Sequence, residues 1–277
     1  MSTTRTALVT GASSGIGLAT SRRLIDRGYQ VIGTSRDPDN VAESARPEGL
    51  RYRALDLRDT HSLTGFTTAL AAEDIHVDIL VNNAGESQSG PLEELPLSAL
   101  ERIFQVNVLG PVHLTQLLLP GMRHRGYGRV VMVSSMLASF PLAYRSSYVA
   151  SKAALEGFAT AARFEMSPFG VWLTTVEPGS IKTGISTRRT KYVGDDSPHA
   201  EPMRKMLKAL DANEREGTAP ERVARTIVDA IEEKSPASVY AVGSNAPAVF
   251  ALRRALPRGA VERVVGRMYG IRSGSVS

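Results

Sequence analysis

The chain has no cysteine. Disulfide scaffolds, cysteine-ligated zinc and cysteine nucleophiles are therefore excluded. It has no run of 18 apolar residues, so no membrane-spanning segment is expected. Residues 1–5 are polar and lead straight into an apolar strand, without the long apolar stretch of a signal peptide. A cytoplasmic protein is the expectation. The five histidines (His61, His76, His113, His124, His199) lack the spacing of metal ligands. Glu93-Glu94 and Asp195-Asp196 read as solvated loop charges, with no partner for a glycosidase pair. Aromatic residues are few, at 6%, and this bears on the basic balance of +5 and pI about 9.6. Much of the surplus lies late, at Arg253, Arg254, Arg258, Arg263, Arg267 and Arg272, with few aromatics interleaved. The stacking platforms of single-strand binders are missing, so no nucleic-acid partner is expected.

Apolar material is present in quantity: 42% of 277 residues, enough for a large core. Short β-branched runs are expected as strands at 7–10, 30–34, 52–56, 79–82, 130–134, 171–176 and 238–242. Helical patterns separate them at 16–27, 60–72, 98–123, 147–166 and 220–233. This alternation predicts βαβ units in one α/β domain: a Rossmann-type, doubly wound parallel sheet of about seven strands. The domain would span 1–243, with 244–277 as a helical extension of it. Two segments break the alternation. The polar insert 184–217 carries a helical stretch at 203–210, and a long irregular insert in a compact domain is usually functional. It is expected to act as a substrate lid. The tail reads as two short amphipathic helices split near Pro257, with Val249, Leu252 and Leu256 on one and Val261, Val264, Val265 and Met268 on the other. Packing over the pocket or at a subunit interface is expected. Weak association with an anionic membrane surface is the other reading.

Thr10-Gly11-Ala12-Ser13-Ser14-Gly15-Ile16-Gly17 joins the first strand to the first helix. Glycine lets backbone turn tightly and approach a pyrophosphate, and the helix start offers N–H groups and a positive dipole end. Gly11, Ser13, Ser14, Gly15, Ile16 and Gly17 are thus candidate cofactor contacts. The second strand ends at Ser35-Arg36. In that place an acid would hold the ribose of NAD, whereas an arginine can grip a 2′-phosphate in a bidentate way. NADP(H) is therefore the expected cofactor, with Asp37 turned to solvent ahead of Pro38. Asp56, and Asn82-Asn83-Ala84-Gly85, follow the third and fourth strands, at the edge where open α/β sheets bind ligands.

Tyr148 and Lys152 are four apart at the start of a helix and share a face. A phenol titrates near ~10, and a nearby ammonium favours its ionised form. Such a tyrosine can give a proton to a carbonyl oxygen or take one from an alcohol. Ser135, just past the fifth strand, could hold the same oxygen.

Together these motifs closely resemble the short-chain dehydrogenase/reductase superfamily, to about residue 243. Asn107 and Pro178-Gly179-Ser180-Ile181-Lys182-Thr183 join the match, although only one residue separates Ile181 from Thr183. The resemblance implies that Tyr148 is the acid/base, that Lys152 lowers its pKa and holds the ribose, that Ser135 orients substrate, and that Asn107 holds a water in a proton relay. It implies that Asp56 meets the adenine, with Leu57 beside it. Asn83, Ala84, Gly85, Pro178 and Gly179 would line the cofactor, and the Ile181 backbone and Thr183 hydroxyl would fix the nicotinamide carboxamide. Thr34-Ser35-Arg36-Asp37, Gly90-Pro91-Leu92-Glu93-Glu94, the insert and the basic tail look like the hydroxysteroid- and retinol-dehydrogenase-like branch. The implied activity is hydride transfer between NADP(H) and a carbonyl or secondary alcohol, with reduction of a small hydrophobic ketone expected. The pocket would be lined by 86–91, 136–145 and 184–217, with Met136, Leu137, Phe140, Leu142 and Tyr144 making it apolar. A ketoreductase for polyketide or carrier-bound acyl substrates is a second reading. A non-catalytic nucleotide sensor is a third; it should lack Tyr, Lys or Ser at these positions. A homodimer or homotetramer is expected.

Overall fold

All four residues of β1 (Thr6–Val9), all four of β4 (Ile79–Asn82) and all six of β6 (Gly128–Val133) are buried. Strands covered on both faces favour apolar residues, and their sequences are mostly apolar, with Thr6, Asn82 and Arg129 as buried exceptions. The computed structural model describes residues 4–244, 246, 249–251 and 257–271. With β2 (Gln30–Ser35), β3 (Leu50–Ala54), β7 (Val171–Pro178) and β9 (Val239–Val242), these strands form a seven-stranded sheet in the order β3-β2-β1-β4-β6-β7-β9. Every pairing is parallel, and Ala7 stands between Val31 and Ile79.

Successive side chains of a strand point to opposite faces. Leu8 and Leu80 meet Leu63 and Phe66 of α2 (Thr60–Ala72), Leu114 of α4 (Gly110–His124) and Leu155 of α6 (Ser146–Met166). Ala7, Val9 and Ile79 meet Leu24 of α1 (Gly15–Asp26) and Val223, Ile227 and Ile231 of α8 (Pro220–Glu232). The sheet is thus covered on both sides, a Rossmann-type α/β fold. Its order reverses between β1 and β4, which opens a crevice at their C-terminal ends.

The helix expected over 98–123 is broken. It comprises α3 (Leu97–Phe104), a π-helical stretch (Gln105–Leu109) and α4. Pro111 has no N–H for the carbonyl one turn earlier, so the regular ladder cannot run through it. Gly110 lies so close to Leu57 that a Cβ there would sit 2.4 Å from its carbonyl oxygen. Three short elements carried no periodicity to read: β5 (Gln88–Ser89), α5 (Met136–Ser139) and β8 (Thr190–Lys191).

The insert contains β8, which pairs with β5, and α7 (Ala200–Arg215), which is longer than its helical signal. Met203, Met206, Leu207 and Leu210 pack on Leu142, and Val265 and Tyr269 join from the tail. The second tail helix is present as Arg258–Met268. Leu252 and Leu256, on which the first was read, lie outside the described residues, as do Arg253, Arg254 and Arg272. No described helix is long and apolar enough to cross a membrane.

Candidate active site

The turn after β1 is held by β4. Thr10 Oγ1 accepts from the N–H groups of Asn83 and Ala84, both at 3.0 Å. Asn83 Nδ2 donates to the carbonyls of Thr10 (2.9 Å) and Gly11 (3.2 Å). Gly11 and Gly15 have φ of +63° and +55°, where a side chain is strained. Gly17 has a different task. A Cβ there would lie 2.3 Å from the Gly11 carbonyl oxygen and 2.5 Å from Asn83 Nδ2, so only glycine lets α1 seat on the turn. Ser14 starts α1 without capping it by its side chain. Its Oγ instead accepts a 3.1 Å hydrogen bond from Arg188 of the insert.

Arg36 is exposed at the end of β2 and forms no ion pair among the described residues. Asp37 turns away from it: its carboxylate accepts from Asn40 Nδ2 (2.5 Å) and the Asn40 N–H (3.3 Å), which hold it below its ordinary pKa. The Asp56 carboxylate is gripped by Arg58, whose Nε lies 3.0 Å from both oxygens, and its pKa is lowered chiefly by that contact.

On α6 the buried stripe runs through Tyr148, Ser151, Lys152, Leu155 and Ala159. Tyr148 and Lys152 therefore sit on the core side, 7% and 5% exposed. Lys152 Nζ donates to the Val133 carbonyl at 2.8 Å, and burial lowers its pKa to about 8. Burial raises that of Tyr148; the Arg145 guanidinium and a hydrogen bond with Ser135 oppose the rise. The nearer cation to the phenol ring is Arg145, 4.3 Å from its centroid, against 5.9 Å for Lys152. Sequence placed Arg145 at the edge of the expected pocket lining, 136–145, without giving it a role, and it does line the cavity. Asn107, in the π-helical stretch, accepts from the Glu86 N–H (2.8 Å) and donates to the Glu86 carbonyl (3.0 Å) and Ser151 Oγ (3.1 Å).

One cavity of about 640 Å³ joins these parts. Gly11, Ser13, Ser14, Gly15, Ile16, Arg36, Asp56, Leu57, Asn83, Ala84 and Gly85 line it. So do Ser135, Tyr148, Lys152, Pro178, Gly179, Ile181 and Thr183. Gly17 and Asn107 do not; both stand behind the wall and hold its backbone. The expected apolar lining is corrected in part. Met136, Leu137 and Phe140 reach the cavity, whereas Leu142 and Tyr144 do not. Leu142 packs under α7, and Tyr144, at φ +62°, stacks edge-on against His199. Of 86–91 only Glu86 and Ser87 line it. Leu210 and Glu214 of α7, with Val265, Met268 and Tyr269, close the far end.

A dinucleotide fits this donor set: a turn whose glycines leave no room for a Cβ beside a helix start, with an arginine that forms no ion pair among the described residues at one end. Sheet, turn and cleft define a Rossmann-type fold built for a nucleotide. The chain belongs to the short-chain dehydrogenase family, whose model matches residues 5–193, and is thereby an oxidoreductase acting on CH–OH groups. It is 35% identical to the uncharacterized oxidoreductase YusZ of Bacillus subtilis, over 94% of this chain and 96% of that one. It is 30% identical to retinol dehydrogenase 8 of Bos taurus (93% and 87%), which supports the retinol-dehydrogenase-like branch. Identity is 29% to the 3-ketodihydrosphingosine reductase of Bacteroides thetaiotaomicron (96% and 98%). Among solved structures, a short-chain dehydrogenase from Streptomyces avermitilis superposes with a TM-score of 0.80 at 31% identity, covering 95% of this chain and 98% of that one. The closed form of serine dehydrogenase complexed with NADP+ gives 0.72 at 26% (87% and 95%).

Proposed function

We propose that this protein transfers a hydride between NADP(H) and a hydrophobic ketone or its secondary alcohol, working as a ketone reductase. One observation carries this: Tyr148, Ser135 and Lys152 line the same cavity as the glycine turn and Arg36. The serine dehydrogenase solved with NADP+ and the relative named as a ketone reductase support cofactor and direction.

The bound nicotinamide supplies the hydride. The turn from Gly11 to Ile16 holds the pyrophosphate, and Arg36 grips the 2′-phosphate. Asp56 and Leu57 border the adenine. Asn83, Ala84 and Gly85, with Pro178 and Gly179, flank the bound nucleotide. Lys152 Nζ, whose donor to Val133 leaves two further protons, holds the ribose. The Ile181 backbone and the Thr183 hydroxyl orient the carboxamide. Ser135 Oγ and the Tyr148 hydroxyl hold the substrate oxygen, and Tyr148 gives its proton to that oxygen as the hydride arrives. Arg145 and Lys152 stabilise the phenolate that results. Asn107 fixes Glu86 to α6 and so keeps Gly85 against Lys152. The insert acts as the lid, drawn to the cofactor end by Arg188 and Ser14. Phe158 and Phe164, 48% and 77% exposed on the outer side of α6, are proposed to meet a second copy in a homodimer or homotetramer.

A panel of ketones and aldehydes, with NADPH and NADH oxidation followed by absorbance, tests the activity. Turnover of apolar ketones with NADPH is expected. Binding of NADPH without turnover of any carbonyl would leave a nucleotide-sensing protein instead.

A further inference from the structure

The substrate end of the cavity holds two polar atoms with nothing to bond. Arg145 is 3% exposed. Its Nη1 donates to Ser87 Oγ (3.0 Å), the Gln88 carbonyl (2.7 Å) and Ser89 Oγ (3.1 Å). Its Nε is buried and without a partner. Glu214 accepts from Arg189 through Oε1, while its Oε2 is buried and without a partner. Both residues line the cavity, as do Ser87 and Thr190. An unmade hydrogen bond at a buried charge is costly. Thr20, Arg23, Asn82, Ser146 and Thr175 also carry a buried side-chain atom without a partner, but none of them lines the cavity, whereas Arg145 and Glu214 both do. Here a free donor and a free acceptor lie in the wall of a chamber to which Leu137, Phe140, Leu210, Val265 and Met268 give an apolar side.

The cluster also balances its own charge. Arg189 pairs with Asp211 (2.5 Å) and with Glu214, and Arg145 adds the second cation against the second carboxylate. A charged substrate group would upset that balance in a site where charges are poorly screened. A hydroxyl would not, and through a single oxygen it can both accept from a guanidinium and donate to a carboxylate. Its position follows from Arg145, which lies over the Tyr148 ring at 4.3 Å, beside the group assigned to the carbonyl oxygen.

We infer that Arg145 and Glu214 form a polar subsite for a hydroxyl one or two carbons from the reacting carbonyl, on an otherwise apolar chain. The substrate class is thus a neutral hydroxyketone of amphipathic shape. This rests on the ketone-reductase reading above and narrows it.

The test compares three ketones of one apolar skeleton in wild-type enzyme with NADPH: unsubstituted, with a hydroxyl beside the carbonyl, and with an amine there. The hydroxyketone should have kcat/KM roughly ten- to a hundredfold above the plain ketone, the range of one charge-assisted hydrogen bond. Glu214→Gln should shrink that ratio severalfold, and a ratio is insensitive to damage common to both substrates. Equal kcat/KM for hydroxylated and plain ketones in wild type overturns the subsite while leaving the reductase reading intact. A preference for the amine overturns the neutral class. An unchanged ratio in Glu214→Gln moves the reader of the hydroxyl elsewhere and removes Glu214 from the subsite. Failure of all three ketones, with NADPH bound, removes the reductase reading and the subsite with it.

Discussion

The two ends of the cleft are built differently. At the nucleotide end the work falls to backbone in one contiguous turn: Gly11 and Gly15 bend it, Gly17 lets α1 sit on it, and Thr10 and Asn83 tie it to β4. At the substrate end it falls to buried and half-buried side chains from segments far apart in the chain: Arg145 at the start of α6, Arg189 next to β8, and Asp211 and Glu214 on α7. Backbone geometry serves a ligand part that never varies. Side chains on an insert can be exchanged without touching the sheet. Lys152 stands at the joint of the two ends.

The sharpest way to separate the ends is Tyr148→Phe. It should lower kcat at least ~10²-fold, the scale of general acid–base catalysis, while a fluorescence titration finds NADPH binding unchanged. Near-native turnover would remove Tyr148 from the proton transfer.

Arg36→Ala should do the converse. One or two charge-assisted hydrogen bonds at about 1.5–3 kcal/mol each give a preference for NADP(H) of roughly ten- to several-hundredfold or more. The variant should lose that preference and keep its KM for the carbonyl substrate. Wild type that uses both cofactors alike would defeat the expectation.

Gly17→Ala strikes the backbone alone. Its methyl meets the Gly11 carbonyl and Asn83 with no flexible side chain able to yield at the carbonyl. Overpacking of this kind costs typically about 1–3 kcal/mol. Thermal unfolding should register the loss, and an unaltered Tm would mean the turn relaxes freely.

The smallest effect is a pH slope at the joint. Lys152 titrates at about 8 in the fold and near 10.5 when unfolded. Between those values the unfolded chain binds more protons, so stability without cofactor should rise with pH from 8 upward, by at most about 1.4 kcal/mol per unit. Lys152→Met should flatten this rise in urea denaturation below about pH 9, where Tyr148, raised in the fold from its ordinary value of ~10, keeps its proton in both states. A slope unchanged by the substitution would assign it to another group.

What sequence made legible follows the same division. The glycine turn, Arg36 and the Tyr148–Lys152 pair are local patterns, each readable from spacing along one strand end or one helix face. The sheet was legible too, because most of its strands are short, mainly apolar runs separated by helical patterns. The polar subsite was not, because β5 and β8 are two-residue strands whose pairing alone brings Arg189 beside Arg145. One signal did exist. Met203, Leu207, Leu210 and Glu214 fall on one stripe of α7, so a carboxylate stands where the pattern calls for an apolar residue. Leu142 and Tyr144 misled for the opposite reason: they are apolar and adjacent to the site, yet α7 and His199 cover them.

The π-helical stretch at Gln105–Leu109 serves aim. A π turn holds one residue more than an α turn, so deleting a single residue there would return that turn to α spacing, with Pro111 still interrupting the ladder. Each residue of an α-helix advances the next side chain by about 100°, so residues on one side of the deletion would rotate away from their present neighbours. Asn107 would leave Glu86 and Ser151, and the segment carrying Gly85 would lose its anchor. A shortened chain of this kind should work worse, which makes the extra residue a fixture of the enzyme rather than a flaw in its helix.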